Sequence, residues 1–211
     1  MAGTVITVAQ QKGGAGKTTL VAHLAVAMRQ LGRTVALLDI DPQGSLSHWY
    51  AARGKVMEDT GLTHGHVAGW RTAGEVDRLA RHHDIVLIDS PPHAETEARI
   101  AVRAAKLVLV PVQPSPMDLW ATKPTLDLAA QEKKQVVVVL NRVPPRGKVA
   151  DEMIAEIIAL GADVADARIG NRIGYAGALL RGRSVTEGAR PTVASREVQA
   201  LAREVLGRCG G

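Results

Sequence analysis

Short aliphatic runs alternate along the chain with longer stretches in which apolar residues return every three or four positions. Thr4 to Ala9 reads as a strand. Lys17 to Leu31 reads as a helix, with Leu20, Leu24, Met28 and Leu31 on one face and Gly32 as its stop. Thr34 to Ile40 is a second strand; a turn through Pro42 and Gly44 leads into a helix over Ser45 to Arg53. Residues 54–72 are rich in Gly, Thr and His and hold one short strand around Leu62 to Val67. Ala73 to His82 is helical, and Asp84 to Ile88 is a buried strand ending in Asp89. A helix over Ala94 to Ala105 follows, then a strand over Leu107 to Val112 closed by a loop with Pro111, Pro114 and Pro116. Met117 to Lys134 reads as helix, kinked or restarted at Pro124. Gln135 to Asn141 is the last strand, 148–160 an amphipathic helix, and Thr192 to Arg208 the final helix. This alternation predicts an α/β fold, a doubly wound and mostly parallel sheet flanked by helices. Without repeats or long linkers, residues 1–211 read as a single domain.

Composition sharpens that picture. The chain is 46% hydrophobic but 2% aromatic, with no Phe, so Val, Leu, Ile and Ala must build the core, as suits strands buried on both faces. Cys209 stands alone, which excludes an intrachain disulfide or a cysteine-based metal site within one chain and fits a reducing compartment. Met1-Ala2-Gly3 carries no charged leader, and no run approaches the roughly 18 apolar residues of a membrane span. A cytoplasmic protein with no integral membrane contact is expected. Net charge is +5, and between Arg168 and Arg196 six arginines face only Glu187. Arg172, Arg181, Arg183 and Arg190 are candidates to contact a polyanion such as DNA.

The chemistry is concentrated between the first strand and the first helix. Residues 11–18 fit the frame of the P-loop pattern, with Gln11 in place of its first glycine and Gly16, Lys17 and Thr18 at its end. Gly13, Gly14, Ala15 and Gly16 let the backbone turn N–H groups toward phosphates, and the helix opening at Lys17, Thr18 and Thr19 adds its dipole. Lys17 reaches phosphate oxygens, and the Thr18 hydroxyl suits Mg²⁺. The second strand ends in Asp39-Ile40-Asp41-Pro42-Gln43-Gly44. Carboxylates at the carboxyl ends of parallel strands face the ligand crevice, and residues two apart share a strand face. Ile85 to Ile88 place Asp89 at another such end, as in a Walker B element that holds Mg²⁺ through water. Asn141 ends the last strand with no acidic residue soon after it, which favours ATP over GTP.

Lys12, ahead of the glycines, marks a deviant Walker A motif. With Asp39 to Gly44 and Asp89-Ser90-Pro91-Pro92, the chain resembles the ParA/MinD family of dimerising P-loop ATPases. The resemblance implies an ATP-bound homodimer in which Lys12 reaches the partner's nucleotide, Asp41 positions the attacking water, Asp39 lies near the metal's water shell and Asn141 bonds adenine. It also implies weak hydrolysis until a partner adaptor stimulates it. Residues Pro111 to Leu119, together with Gly182 to Val185, are similar to small ParF-type partition ATPases. That narrower likeness implies non-specific DNA binding in the ATP state, nucleoid association, and a cargo such as a plasmid, chromosome, carboxysome or chemoreceptor array. With the P-loop starting so early, no operator-binding helix-turn-helix is expected upstream of it. Three alternatives stay open: a MinD-like membrane ATPase, a metal-cluster carrier, which the single cysteine disfavours, and a biosynthetic ligase of the same fold.

Overall fold

The computed structural model describes residues 2–92, 95–145 and 148–210. Six strands, β1 (Thr4–Val8), β2 (Val35–Asp39), β3 (Thr63–His66), β4 (Ile85–Asp89), β5 (Leu107–Val112) and β6 (Gln135–Leu140), form one sheet in the order β3-β2-β4-β1-β5-β6. Every pairing between neighbouring strands is parallel. Parallel neighbours need crossovers, and the helices supply them. These are α1 (Lys17–Gln30), α2 (Ser45–Val56), α3 (Thr72–Ala80), α4 (Glu95–Ala104), α5 (Pro116–Gln131), α6 (Lys148–Ala159), α7 (Ile173–Leu180) and α8 (Val193–Arg208).

Side-chain alternation sends successive strand residues to opposite faces. One face, with Ile6, Val8, Leu37, Leu87, Leu109 and Val137, packs against α1, α2, α7 and α8. The other splits into two clusters. Val108, Val110, Val138 and Leu140 meet α4, α5 and α6, while Val86, Ala36 and Leu38 meet α3. Because both faces are covered, β2, β4 and β5 are buried along their whole length. Truncating such a residue, Leu87 for example, would cost about 2–5 kcal/mol.

The expected strands and the first six helices appear within a few residues of their sequence-based limits; Ala94, expected to open α4, lies outside the described residues. Pro124 sits inside a single continuous α5 rather than between two helices. That helix starts firmly, since the Ser115 hydroxyl accepts from Asp118 N and Pro116 occupies its first turn. The segment between α6 and α8, expected only to be basic, contains α7 and a short 3₁₀ turn over Val185–Glu187. It also runs beside β6, through parallel bridges from Val138 to Val164 and from Val143 to Gly170.

Candidate nucleotide-binding site

The site forms where β1 ends in the middle of the sheet, between β4 and β5. There the chain turns through Gly14 (φ 77°) and Gly16 (φ 92°) and enters α1. A side chain at Gly16 would be strained by that φ and would meet Asn141 Nδ2 at 2.5 Å. No side chain caps α1, and its first turn holds no acidic residue. Its leading N–H groups and dipole are therefore free for an anion.

Lys17 lies in this cradle, 7% exposed, with Nζ donating to Gln10 O at 3.0 Å. Burial pushes its pKa down, and the nearby Asp89 and Asp41 carboxylates oppose that. Thr18 Oγ1 donates to Asp89 Oδ2 at 2.7 Å. Asp89 is 1% exposed, and burial raises its pKa to about 7, against the Thr18 hydrogen bond and with the help of Asp39. Its Oδ1 is buried and has no hydrogen-bond partner among the described residues. A buried carboxylate oxygen without a partner, beside a hydroxyl and under a phosphate cradle, fits a magnesium ion held through water. Among the described residues, no cluster of His, Cys, Asp and Glu could hold a metal by itself.

Asp39 is fully buried and saturated. Its Oδ2 accepts from Ser47 N (2.9 Å) and Ser47 Oγ (2.7 Å), and its Oδ1 accepts from Asp41 N (3.1 Å). Its contacts here are with the loop that carries Asp41 and with the start of α2. Asp41 is half-buried, and its Oδ1 accepts from Gln43 N at 2.9 Å, closing the turn before Gly44. Asn141 is likewise engaged: Nδ2 donates to Ala15 O (2.7 Å) and Oδ1 accepts from Arg142 N (3.0 Å). It braces the P-loop from the wall of a cavity of about 590 Å³. Gly16, Thr19, Arg142, Gly170, Asn171 and Tyr175 also line that cavity.

Lys12 is paired with Asp118, whose side chain is 2% exposed. Ser115 Oγ donates to the same Asp118 oxygen. Gln113 Nε2 donates to Gly14 O at 3.1 Å, and Thr125 Oγ1 donates to Gln10 Oε1 at 3.2 Å. The proline-punctuated loop and α5 thus brace the phosphate loop. Gln10 and Ser47 carry no motif of their own, and Gln113 and Asp118 were legible only as part of the Pro111 to Leu119 stretch, because their phosphate-loop partners lie 99 and 106 residues away. The Ser115-Pro116 start of α5 is the one local signal that placed Asp118 in a helix's first turn.

Of the four arginines named above, Arg172 also lines the Asn141 cavity, and the other three lie elsewhere. Arg172, Arg181 and Arg183 line a cavity of about 610 Å³ between α7, the 3₁₀ turn and the start of α8. Arg190 is exposed on the approach to α8. Arg172 is matched by Glu197, which accepts from its Nη2 at 2.5 Å. Among the described residues, no carboxylate lies within ion-pair distance of Arg181, Arg183 or Arg190. Among the described residues, no helix is long and apolar enough to cross a membrane.

A family model for the CobQ/CobB/MinD/ParA nucleotide binding domain matches residues 6–185, spanning the P-loop, both aspartate-bearing strand ends and α7. The chain belongs to that family. Maintenance of carboxysome distribution protein A of Halothiobacillus neapolitanus is 32% identical over 211 residues, covering 95% of both chains. Protein ParA of Rhizobium radiobacter is 29% identical over 184 residues, 81% of this chain and 80% of its own. The Cyanothece McdA–ATP complex superposes with a TM-score of 0.78 over 98% of this chain and 97% of its own. At 18% identity that likeness shows the fold alone.

Proposed function

We propose that this chain is a positioning ATPase that dimerises on ATP, binds DNA non-specifically in that state and lets go after a partner adaptor stimulates hydrolysis. The observation that supports it most is the arrangement around one phosphate cradle. Lys17 is buried within it, Asp89 sits behind it with a free oxygen, Asp41 stands on the loop beside it, and Lys12 is at its mouth.

In this reading the P-loop N–H groups and Lys17 hold the phosphates, and Thr18 and Asp89 hold magnesium, which neutralises phosphate charge when bound. Asp39 keeps the switch loop in place near the metal's water shell, and Asp41 orients the attacking water. Adenine occupies the cavity that Asn141, Arg142 and Asn171 help to line. Lys12 leaves Asp118 and crosses to the partner subunit's nucleotide, stabilising charge there as an arginine finger does. Arg181, Arg183 and Arg190 meet DNA phosphates, with Arg172 contributing less because Glu197 already matches it.

The membrane-bound alternative asks for a free amphipathic helix with a basic polar face. In α8, Val198, Leu201, Ala202 and Val205 are buried against the sheet, so its apolar face is already used. Among cargoes, a carboxysome is a specific second reading, favoured by the relative that spans nearly the whole chain.

Light scattering after size exclusion tests the dimer switch. With Mg-ATP the mass should double relative to Mg-ADP. Asp41→Ala should accumulate the dimer by blocking hydrolysis, whereas Lys12→Ala should bind ADP normally and stay monomeric with ATP. A Lys12→Ala protein that dimerises fully would reject the trans role of Lys12.

A further inference from the structure

The loop that carries Asp41 is held through a chain of hydrogen bonds that ends outside the nucleotide site. Ser47, in the first turn of α2, presents both its N–H and its hydroxyl to Asp39 Oδ2. A serine hydroxyl has one proton, so once that proton lies on Asp39 the oxygen can only accept from any other neighbour. That neighbour is His64 Nε2, at 3.1 Å. His64 must therefore carry its proton on Nε2 and donate to Ser47.

The imidazole is fixed from a second direction. Its ring stacks on Tyr50 with centroids 4.7 Å apart and planes 16° from parallel. Tyr50 OH in turn donates to Leu62 O at 2.9 Å, on the approach to β3. His64 itself sits in β3, registered opposite Leu37, two residues short of the Asp39–His66 pair. The edge strand, the first turns of α2 and the end of β2 are thereby clamped around one carboxylate. Asp39 Oδ1 completes the clamp by accepting from Asp41 N.

We propose that His64 is a positioning residue for ATP hydrolysis, orienting the Ser47 hydroxyl onto Asp39 and through it setting the place of Asp41. In this proposal His64 acts through Ser47 and Asp39. This rests on the reading of Asp41 as the water-orienting residue, and it adds a duty to an edge strand that the P-loop motifs do not touch. If the Ser47 hydroxyl lost its donor it could rotate away from Asp39, and the Asp41 loop would lose part of its support. Nucleotide affinity, set by the P-loop, would not change.

The test is steady-state and single-turnover ATP hydrolysis by the full chain, with fluorescent-ATP affinity and thermal unfolding measured alongside. Three variants serve: His64→Ala, His64→Gln and Asp41→Ala. Losing one neutral hydrogen bond, about 0.5–1.5 kcal/mol, corresponds to about a two- to twelve-fold fall in kcat for His64→Ala. KM and fluorescent-ATP affinity should stay within about two-fold, the rate equivalent of a few tenths of a kcal/mol. His64→Gln keeps an N–H donor near the Nε2 position and should recover most of the rate. Unchanged kcat in His64→Ala overturns the proposal. So does a parallel loss of kcat and affinity that tracks the unfolding temperature, or a His64→Gln protein as slow as His64→Ala. Asp41→Ala separates the two levels. If it hydrolyses ATP normally, the reading of Asp41 fails; if it is inactive while His64→Ala is normal, only the role of His64 fails.

Discussion

Lys12 and Lys17 flank the same glycine run yet occupy opposite environments. Lys17 is buried in the cradle against a backbone carbonyl, while Lys12 is one-third exposed and paired with Asp118. A buried ammonium with a single carbonyl partner has two donors left for phosphate oxygens. Each charge-assisted contact is worth about 1.5–3 kcal/mol. Lys17→Ala should therefore weaken Mg-ATP binding by at least about 100-fold in calorimetry, and wild-type affinity would remove the P-loop assignment. Lys17, Thr18, Asp41 and Asp89 were legible in the sequence because each belongs to a local pattern: a glycine run, or an aspartate closing an aliphatic strand. Ser47 was not, and Asp118 was so only within the Pro111 to Leu119 stretch. Their roles depend on neighbours brought together by the sheet, across 106 residues in the case of Lys12 and Asp118. Asn141 was legible as a strand-end residue, but its bond to Ala15 depends on β6 lying two strands from β1.

At the scale of elements, strands were read well because aliphatic runs buried on both faces leave a plain signal. The short helix α7 was not. Its sequence IGYAGALL is apolar almost throughout, two glycines weaken it, and Ile173 and Leu180 point to solvent. No helical periodicity can be read from such a stretch. What holds this region is long-range. Arg53, 1% exposed, pairs with both oxygens of Glu187, and Gly182 (φ 65°) lets the loop approach the backbone of α2 so closely that a Cβ would meet Arg53 N at 2.6 Å. His23 on α1 sits beneath, its Nδ1 3.1 Å from Ser184 Oγ and accepting from Val185 N. Burial pushes its pKa down to about 4, opposed by the backbone of Tyr175 and by the Glu187 charge. The unfolded chain takes up the proton near pH 6.5 and the folded one does not until about pH 4, so protons favour unfolding between those values. The contribution is intact above about pH 6.5 and lost as pH falls toward 4. At about 1.4 kcal/mol per pH unit it amounts to about 3.5 kcal/mol at most. Urea unfolding of wild type and His23→Gln across this range checks it. The variant's stability should fall less steeply with acid, and equal slopes would show that His23 does not titrate in this way.

At the scale of the whole molecule, the nucleotide site and the arginine surface share the sheet face covered by α1, α7 and α8, and Arg172 lines the cavity of each. The carboxyl ends of β1, β2 and β4 carry the nucleotide chemistry, while α7, the 3₁₀ turn and the start of α8 gather Arg181, Arg183 and Arg190 on the surface. The excess of arginine was visible in the sequence. Its partial neutralisation was not, since Glu197 lies outside the basic stretch and reaches Arg172 only through the packing of α8. In the proposed ATP dimer, two subunits would double the remaining charge and convert weak phosphate contacts into useful affinity. Replacing Arg181 and Arg183 with Glu should abolish DNA binding and leave the ATP dimer intact, as read by anisotropy and light scattering; a charge-reversed protein that still binds would place the DNA surface elsewhere. The most direct measurement is binding of the wild-type chain to non-specific duplex DNA with Mg-ATP and with Mg-ADP over a salt series. Binding confined to ATP, with log affinity falling by about 0.9 per phosphate neutralised for each log unit of salt, is the predicted result. Equal binding in both nucleotide states, or none in either, would contradict it.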